Sequence, residues 1–396
     1  MSRRPPLTFI FTVTLTGILS NTLVTPAIPD ILSDFDLSGD SAGLLVASGS
    51  LAGVVMAPIA GFLADRFGRR IVLTICLGVF GVFGGMAAIA PTFEILLLAR
   101  FLQGVGSAAL INLAVVLIGD NWTGRERTGL IGRNSAILTV GLASVPLLSG
   151  ALTEAASWRV TFALYTVALG TAATAWVVLD GRRPADPPRV KEQFDDAIVV
   201  LRRPVLRASI LAGFLVFIAI FGLFLTVLPV HLAEVFGLEA GAIGLVISLP
   251  AGTATLASLN LGRMTAFASA RTIVIVSALA LVVAYVTIGL TTTLLVLVIA
   301  TLLYGASEGF FIPMLQDLNM DAPEEHRAVV IAVWVGFARL GQTIGPLLAG
   351  VAIALIGTGP SFVAGSGVAV LIFLVGVFGP FPRTRVGRRS VGRPRA

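Results

Sequence analysis

Charge is what this 396-residue sequence has least of. Asp, Glu, Lys and Arg make up 12% of it, about half the share in an average soluble domain. With 56% hydrophobic residues and a mean hydropathy of +0.98, the chain has too little polar surface to meet water on all sides. A lipid bilayer is the solvent that suits such a composition. Cysteine is nearly absent. Cys76 stands alone in an apolar run, which excludes an intrachain disulfide or a thiolate cluster and reads as a small buried hydrophobe. The two histidines, His231 and His326, both fall near helix ends. No glycine loop ending in Gly-Lys-Ser/Thr cradles a phosphate, so ATP is not the expected energy source. No nucleophile stands with a base and an orienting group. The expectation is therefore no enzyme, no metal and no cofactor.

What is present is arginine, in a pattern. The net charge is +6, which on a soluble protein would suggest nucleic acid. Here the only lysine is Lys191, and the arginines fall in short gaps between long apolar runs, which is the mark of membrane topology. About twelve runs reach the roughly 20 residues that a bilayer core requires. Their expected spans are residues 7–29, 41–63, 71–91, 94–118, 128–151, 158–179, 207–230, 241–261, 272–291, 293–315, 328–353 and 359–380. Ser2-Arg3-Arg4 precedes the first run, which continues without a small-residue cleavage site and reads as an uncleaved span. With both termini cytoplasmic, every basic residue lies on the inner side except Arg159 outside and Arg100 and Arg339 within spans. The first outer loop is acidic, with Asp34, Asp36 and Asp40. The expectation is a multi-pass, all-α protein of the cell (inner or plasma) membrane, monomeric, surrounded by lipid and free of nucleic acid.

The chain divides into a first six-helix bundle (1–180), a linker (181–206), a second bundle (207–382) and a basic tail (383–396). Gly181, Pro184, Pro187 and Pro188 end the sixth helix, and Glu192–Arg203 suits a short amphipathic helix on the inner surface. The halves repeat. At a shift of 201, Gly61 matches Gly262, Arg70 matches Arg271, Gly104 matches Gly305 and Asp120 matches Asp321. At a shift of 200, Pro29 matches Pro229, and Gly141, Pro146 and Gly150 match Gly341, Pro346 and Gly350. Two parallel, pseudo-symmetric six-helix bundles follow.

Several motifs then carry a resemblance. The loop Gly61-Phe62-Leu63-Ala64-Asp65-Arg66-Phe67-Gly68-Arg69-Arg70 closely resembles the best-known signature of the major facilitator superfamily. Arg100-Phe101-Leu102-Gln103-Gly104-Val105-Gly106 is similar to that family's fourth-helix motif. Trp158-Arg159-Val160-Thr161-Phe162 is similar to the usual start of its sixth helix. Gly141, Val145-Pro146 and Ser149-Gly150 resemble the fifth-helix motif of the drug–proton antiporter branch. Valine replaces the glycine before the proline, and serine replaces the first of the paired glycines. The resemblance implies a secondary transporter working by alternating access. Proton-coupled efflux of hydrophobic or cationic small molecules comes first. Import or facilitated passage of a metabolite is the rival, and a sensor that moves nothing is the third reading. It also implies that Asp65 meets the N-terminal end of the eleventh helix, near Ala328, when the inner side is closed. In the second half Ala266 and Phe267 replace the counterparts of Asp65 and Arg66.

Polar groups at membrane depth are costly, so each raises a question of function. Arg100 stays charged at any relevant pH. The resemblance gives it a part in proton coupling, and a structural cation held by carbonyls is the alternative. Glu308 is the one acid deep inside a span. It can exchange a proton, and compete for it with a cationic substrate, or it can pair permanently with Arg339. Asp30 closes the first helix at the outer face and reads as a solvated end or a further proton site. Asn21, Gln103, Asn112, Tyr304 and Gln342 are candidates for a central cavity. Phe214, Phe217, Phe221 and Phe224 read as one aromatic stripe on the seventh helix, lining that cavity or packing on a neighbour.

Overall fold

The computed structural model describes residues 4–181, 202–320 and 327–382. The expected helix at Glu192–Arg203 and the basic tail lie outside the described residues but for Arg202 and Arg203. Twelve helical spans are long and apolar enough to cross a bilayer: α1 Leu7–Asp34, α2 Gly39–Phe67, α3 Arg69–Ala88, α4 Phe93–Asn121, α5 Gly124–Ala155, α6 Trp158–Val178, α7 Pro204–Phe236, α8 Ala240–Phe267, α9 Ala270–Leu290, α10 Leu294–Met320, α11 Val329–Ile356 and α12 Thr358–Phe378. Helices suit hydrocarbon because every backbone N–H finds its carbonyl within the segment.

Starts and stops follow local chemistry. The Thr92, Ser157 and Ser269 side chains accept from the free N–H groups of Ile95, Arg159 and Thr272 at the starts of α4, α6 and α9. Between α2 and α3 the chain turns on a single residue, Gly68, with φ 92° and ψ 151°, a conformation that favours glycine. Some spans are interrupted without ending. A 3-10 turn at Thr25–Ala27 lets α1 run on past Pro26 and Pro29 to Asp34, five residues beyond expectation. Residues Ile220–Val227 of α7 form a π-helical stretch, in which the Thr226 hydroxyl donates to the Phe221 carbonyl at 2.7 Å.

Buried apolar side chains fall into two large clusters. One gathers residues 9–179 with Val230, and the other gathers residues 208–381. Their internal contacts repeat with the sequence. A Cβ on Gly104 would strike the Gly49 carbonyl, and one on Gly305 would strike the Pro250 carbonyl. The Arg70 guanidinium lies 4.1 Å from the Trp176 ring centre, while Arg271, its counterpart, donates to the carbonyl of Val377, the counterpart of Trp176.

The seam between the bundles is also two-fold. At the pole bearing Asp34, Asp36 and Asp40, Gly43 of α2 abuts the Pro346 carbonyl and Gly350 of α11. Its counterpart Gly244 of α8 abuts the Pro146 carbonyl and Gly150 of α5. Glycines paired this way bring backbones into direct contact. At the opposite, arginine-rich pole the same four helices have space. A Cβ on Gly61, Gly132, Gly262 or Gly336 would meet nothing within 4 Å. The hydrogen bonds seen to cross the seam among the described residues include three at the acidic pole or at mid-depth: Gly241 N to Glu154 Oε2 at 2.9 Å, Ser50 Oγ to the Gln342 carbonyl at 3.2 Å, and Arg339 Nη2 to the Ala108 carbonyl at 3.4 Å. The bundles meet at the acidic pole and part toward the basic one.

Candidate functional site

The centre of the first bundle is built around Arg100. Its side chain is fully buried, two turns into α4. Nη1 donates to Gln103 Oε1 at 2.5 Å and to the Tyr165 hydroxyl at 3.3 Å, and Nη2 donates to Asn21 Oδ1 at 3.2 Å. The Tyr165 hydroxyl reaches the carbonyls of Leu19 and Ser20, which ties α6 and α4 to α1. All these partners are neutral oxygens. Among the described residues no carboxylate lies within 4 Å of this guanidinium. Gly49 makes the space, because a Cβ there would stand 2.5 Å from Nη2.

Arg339 lies on α11 and reaches across the seam. Nη1 donates to Gln342 Oε1 at 3.2 Å, and Nη2 donates to the Ala108 carbonyl, where α4 is interrupted. Gly53 of α2, one turn from Gly49, would place a Cβ 3.7 Å from Nη1. Asn112, one turn beyond Ala108, is exposed although it sits at membrane depth. A polar side chain exposed there needs water beside it.

Glu308 lies elsewhere. It is half-buried inside the second bundle, one helical turn from the buried Tyr304. No ion pair joins it to Arg339 in this conformation among the described residues. Tyr304 stacks on Phe224 at 4.3 Å and tilts against Tyr285 at 5.9 Å. The expected single phenylalanine stripe is divided. Phe214 meets Phe337, Phe217 meets Trp334 and Phe221, and Phe224 faces Tyr304 instead. The reason is the π-helical stretch, which breaks the 3.6-residue period between Phe217 and Phe224. Phe221 packs against both large apolar clusters and so sits on the seam.

The structure therefore brings Asn21, Gln103 and Arg100 together, and Arg339 with Gln342 at the Ala108 carbonyl, one turn from Asn112. Tyr304 joins Glu308, and Phe217 joins Phe221. It sets Asp30 apart, exposed in a hollow of about 840 Å³ at the acidic pole with Asp34, Glu154 and Glu239. The loop Gly61–Arg70 lies at the basic pole. Arg69 pairs with Asp65 at 2.5 Å and with Asp120 at 3.2 Å, all within the first bundle, and Arg66 is exposed. Gly141 lets α5 close on Ile18 of α1, while Pro146 and Gly150 belong to the closed acidic seam. Sequence reasoning missed Tyr165, Gly49, Gly53, Trp334 and Glu154. Two left a signal. Gly49 and Gly53 have the four-residue spacing of close helix packing, and Tyr165 is one of only three tyrosines.

Two bundles related by a two-fold along the membrane normal, closed at one end and parted at the other over charges at mid-depth, are the architecture of one family. Its sequence profile, Major Facilitator Superfamily, matches residues 10–321 and 210–395. The chain belongs to that superfamily. Relatives include Multidrug resistance protein 1 of Bacillus subtilis, 29% identical over 61% of this chain and 62% of that protein. The Bacillibactin exporter of Bacillus subtilis is 32% identical over 38% of this chain and 39% of its own length. Quinolone resistance protein NorA of Staphylococcus aureus is 32% identical over 33% of this chain and 34% of its own length. The matched segments thus span less than two thirds of these relatives. Solved structures share the fold over nearly the whole chain. An inward-facing bacterial homologue of the human lysosomal transporter Spinster has a TM-score of 0.75 at 18% identity, covering 94% of this chain and 95% of its own. A D-xylose–proton symporter has a TM-score of 0.77 at 16% identity, covering 95% and 97%. The chain is a multi-pass membrane protein of a transporter family.

Proposed function

We propose that this protein is a proton-coupled exporter of hydrophobic small molecules, cationic ones included, working by alternating access in the cell membrane. The observation that carries the reading is the seam. The bundles touch through backbone at the acidic pole and part at the basic pole, while ionisable groups wait at mid-depth. The arginine-rich pole is the cytoplasmic one by the charge rule, with both termini inside. The conformation is then the one open to the cytoplasm, where an exporter takes up its load. Glu308 is the proton carrier in this reading, since it is the acid at mid-depth and no cation pairs with it among the described residues. The relatives named for drug resistance and export support the outward direction. Import remains the rival, because a proton symporter shares the fold.

Direction and coupling are tested together in proteoliposomes. With protein of known orientation and an imposed pH gradient, a fluorescent hydrophobic cation such as ethidium should move against its own gradient toward the side facing the acidic pole. A protonophore should abolish the accumulation. Accumulation that survives the protonophore overturns the coupling, and movement the other way overturns export.

A further inference from the structure

Two guanidiniums stand against one face of α2, one helical turn apart, over Gly49 and Gly53. Neither has a carboxylate within 4 Å among the described residues. Arg100 is fully buried and spends its donors on neutral oxygens. Arg339 is only half-buried. Two of its five N–H groups are used, on the Gln342 side chain and the Ala108 carbonyl. Asn112, one helical turn beyond Ala108 on α4, is exposed at membrane depth. The one acid at this depth, Glu308, lies within the second bundle against Tyr304. A charge removed from water is normally paired or hydrogen-bonded throughout. Here positive charge exceeds negative in the seam, and the shortfall is at Arg339, where donors are free. On the same helix, Trp334 meets Phe217, and Phe221 extends that aromatic surface along the seam.

We propose that Arg339 is an anchor for the anionic group of an amphiphilic substrate, with Arg100 adding positive potential from one turn along α2 and the Phe217–Trp334 surface taking the aromatic body. The class of substrate that this anchor adds to the hydrophobic cations is an aromatic acid or a zwitterion. A purely cationic compound would leave Arg339 unmatched and would be held by the Phe217–Trp334 surface alone. Arg339's planar fork suits a carboxylate in two-point contact. Gly53 keeps the approach open, since a Cβ there would already stand in van der Waals contact with Nη1 at 3.7 Å. The assignment rests on the reading of the seam as the transport cavity, but its test is binding at equilibrium. Failure of proton-driven flux would leave it standing, and its own failure would leave the exporter reading untouched.

The experiment titrates purified full-length protein with 1-naphthoate and, separately, with 1-naphthamide, a neutral near-isostere, at pH 7 by calorimetry. Naphthoate should bind about tenfold more tightly or better, the scale on which a partly buried charge pair discriminates. Arg339→Gln should bring the two ligands to within about twofold of each other while naphthamide binds as before. Gly53→Asp leaves the guanidinium in place but supplies an internal carboxylate, and should erase the preference equally. Arg339→Lys should retain part of it. Equal affinities in the native protein overturn the assignment, as does a preference that survives both Arg339→Gln and Gly53→Asp. If Arg339→Gln binds neither ligand, Gly53→Asp decides. Loss of naphthamide binding in both variants also overturns it, because the neutral ligand should not depend on the charge.

Discussion

Glu308 and Arg339 lie at similar depth in one bundle yet do not meet, and their separation decides what each can do. A carboxylate held by a guanidinium would stay ionised through the transport cycle. One with no cation paired to it, as Glu308 is among the described residues, can take up and release a proton without leaving a guanidinium stranded. Glu308→Gln fixes the neutral form at nearly the same size. Proton-driven accumulation should fall at least about tenfold, as expected when the coupling charge is lost. Passive counterflow of the same substrate and the thermal midpoint should stay near native values. Native accumulation by the Gln variant in liposomes would remove Glu308 from the mechanism. The partners of Arg100 illustrate what sequence can and cannot carry at this scale. That Arg100 lies inside a span is readable from one stretch of twenty residues. That Tyr165, sixty-five positions on, supplies its acceptor depends on how α6 packs against α4, which no local pattern encodes.

Elements were legible where the chemistry is local. The apolar period, the serine and threonine caps and the glycine turn at Gly68 all act within a few residues, so the number and order of helices could be read. Interruptions were not. The expected first span closes at residue 29 to 30, but the 3-10 turn at Thr25–Ala27 takes in Pro26 and a further helical turn takes in Pro29, because proline is tolerated in a first helical turn. The π-helical stretch in α7 has no composition signal at all, and it turned one expected aromatic stripe into two surfaces. The start of α8 has a device that the sequence hid for the same reason. Glu154, from the far end of α5, places its carboxylate on the Gly241 N–H at 2.9 Å, at the positive end of the helix and across the seam. Such contacts are worth about 0.3–1 kcal/mol near the surface. Its two-fold counterpart in sequence is Ala354, so the contact exists on one side only. Glu154→Gln should therefore loosen the acidic pole by about twofold to fivefold in the closed-to-open ratio. Cysteines at Ser33 and Glu239, which line the same hollow from opposite bundles, report it as slower disulfide formation in a Cys76→Ser background. An unchanged rate would make Glu154 a surface acid only.

At the scale of the whole molecule, the two poles compete for one rigid-body coordinate. Closing the acidic seam requires Gly150 to accept the Ala240 carbonyl, and Gly350 the Asp40 carbonyl, at distances that leave no space for a side chain. Gly150→Leu should exclude this conformation altogether. The Ser33–Glu239 disulfide should become nearly undetectable, and flux should fall by about tenfold or more, because one end of the cycle is lost. Asp65 acts at the other end. It now pairs with Arg69 inside its own bundle, and by family resemblance it would meet the N-terminal end of α11 when the basic pole closes. Asp65→Asn should then shift the population toward the present conformation, opposite in sign to Glu154→Gln. The two sites lie at opposite ends of the spans, share no partner and bias the same equilibrium, so their effects should add. The double variant should return the Ser33–Glu239 crosslinking rate to within about twofold of native. A double variant that behaves like either single one would mean that the poles are not coupled through a common rocking motion.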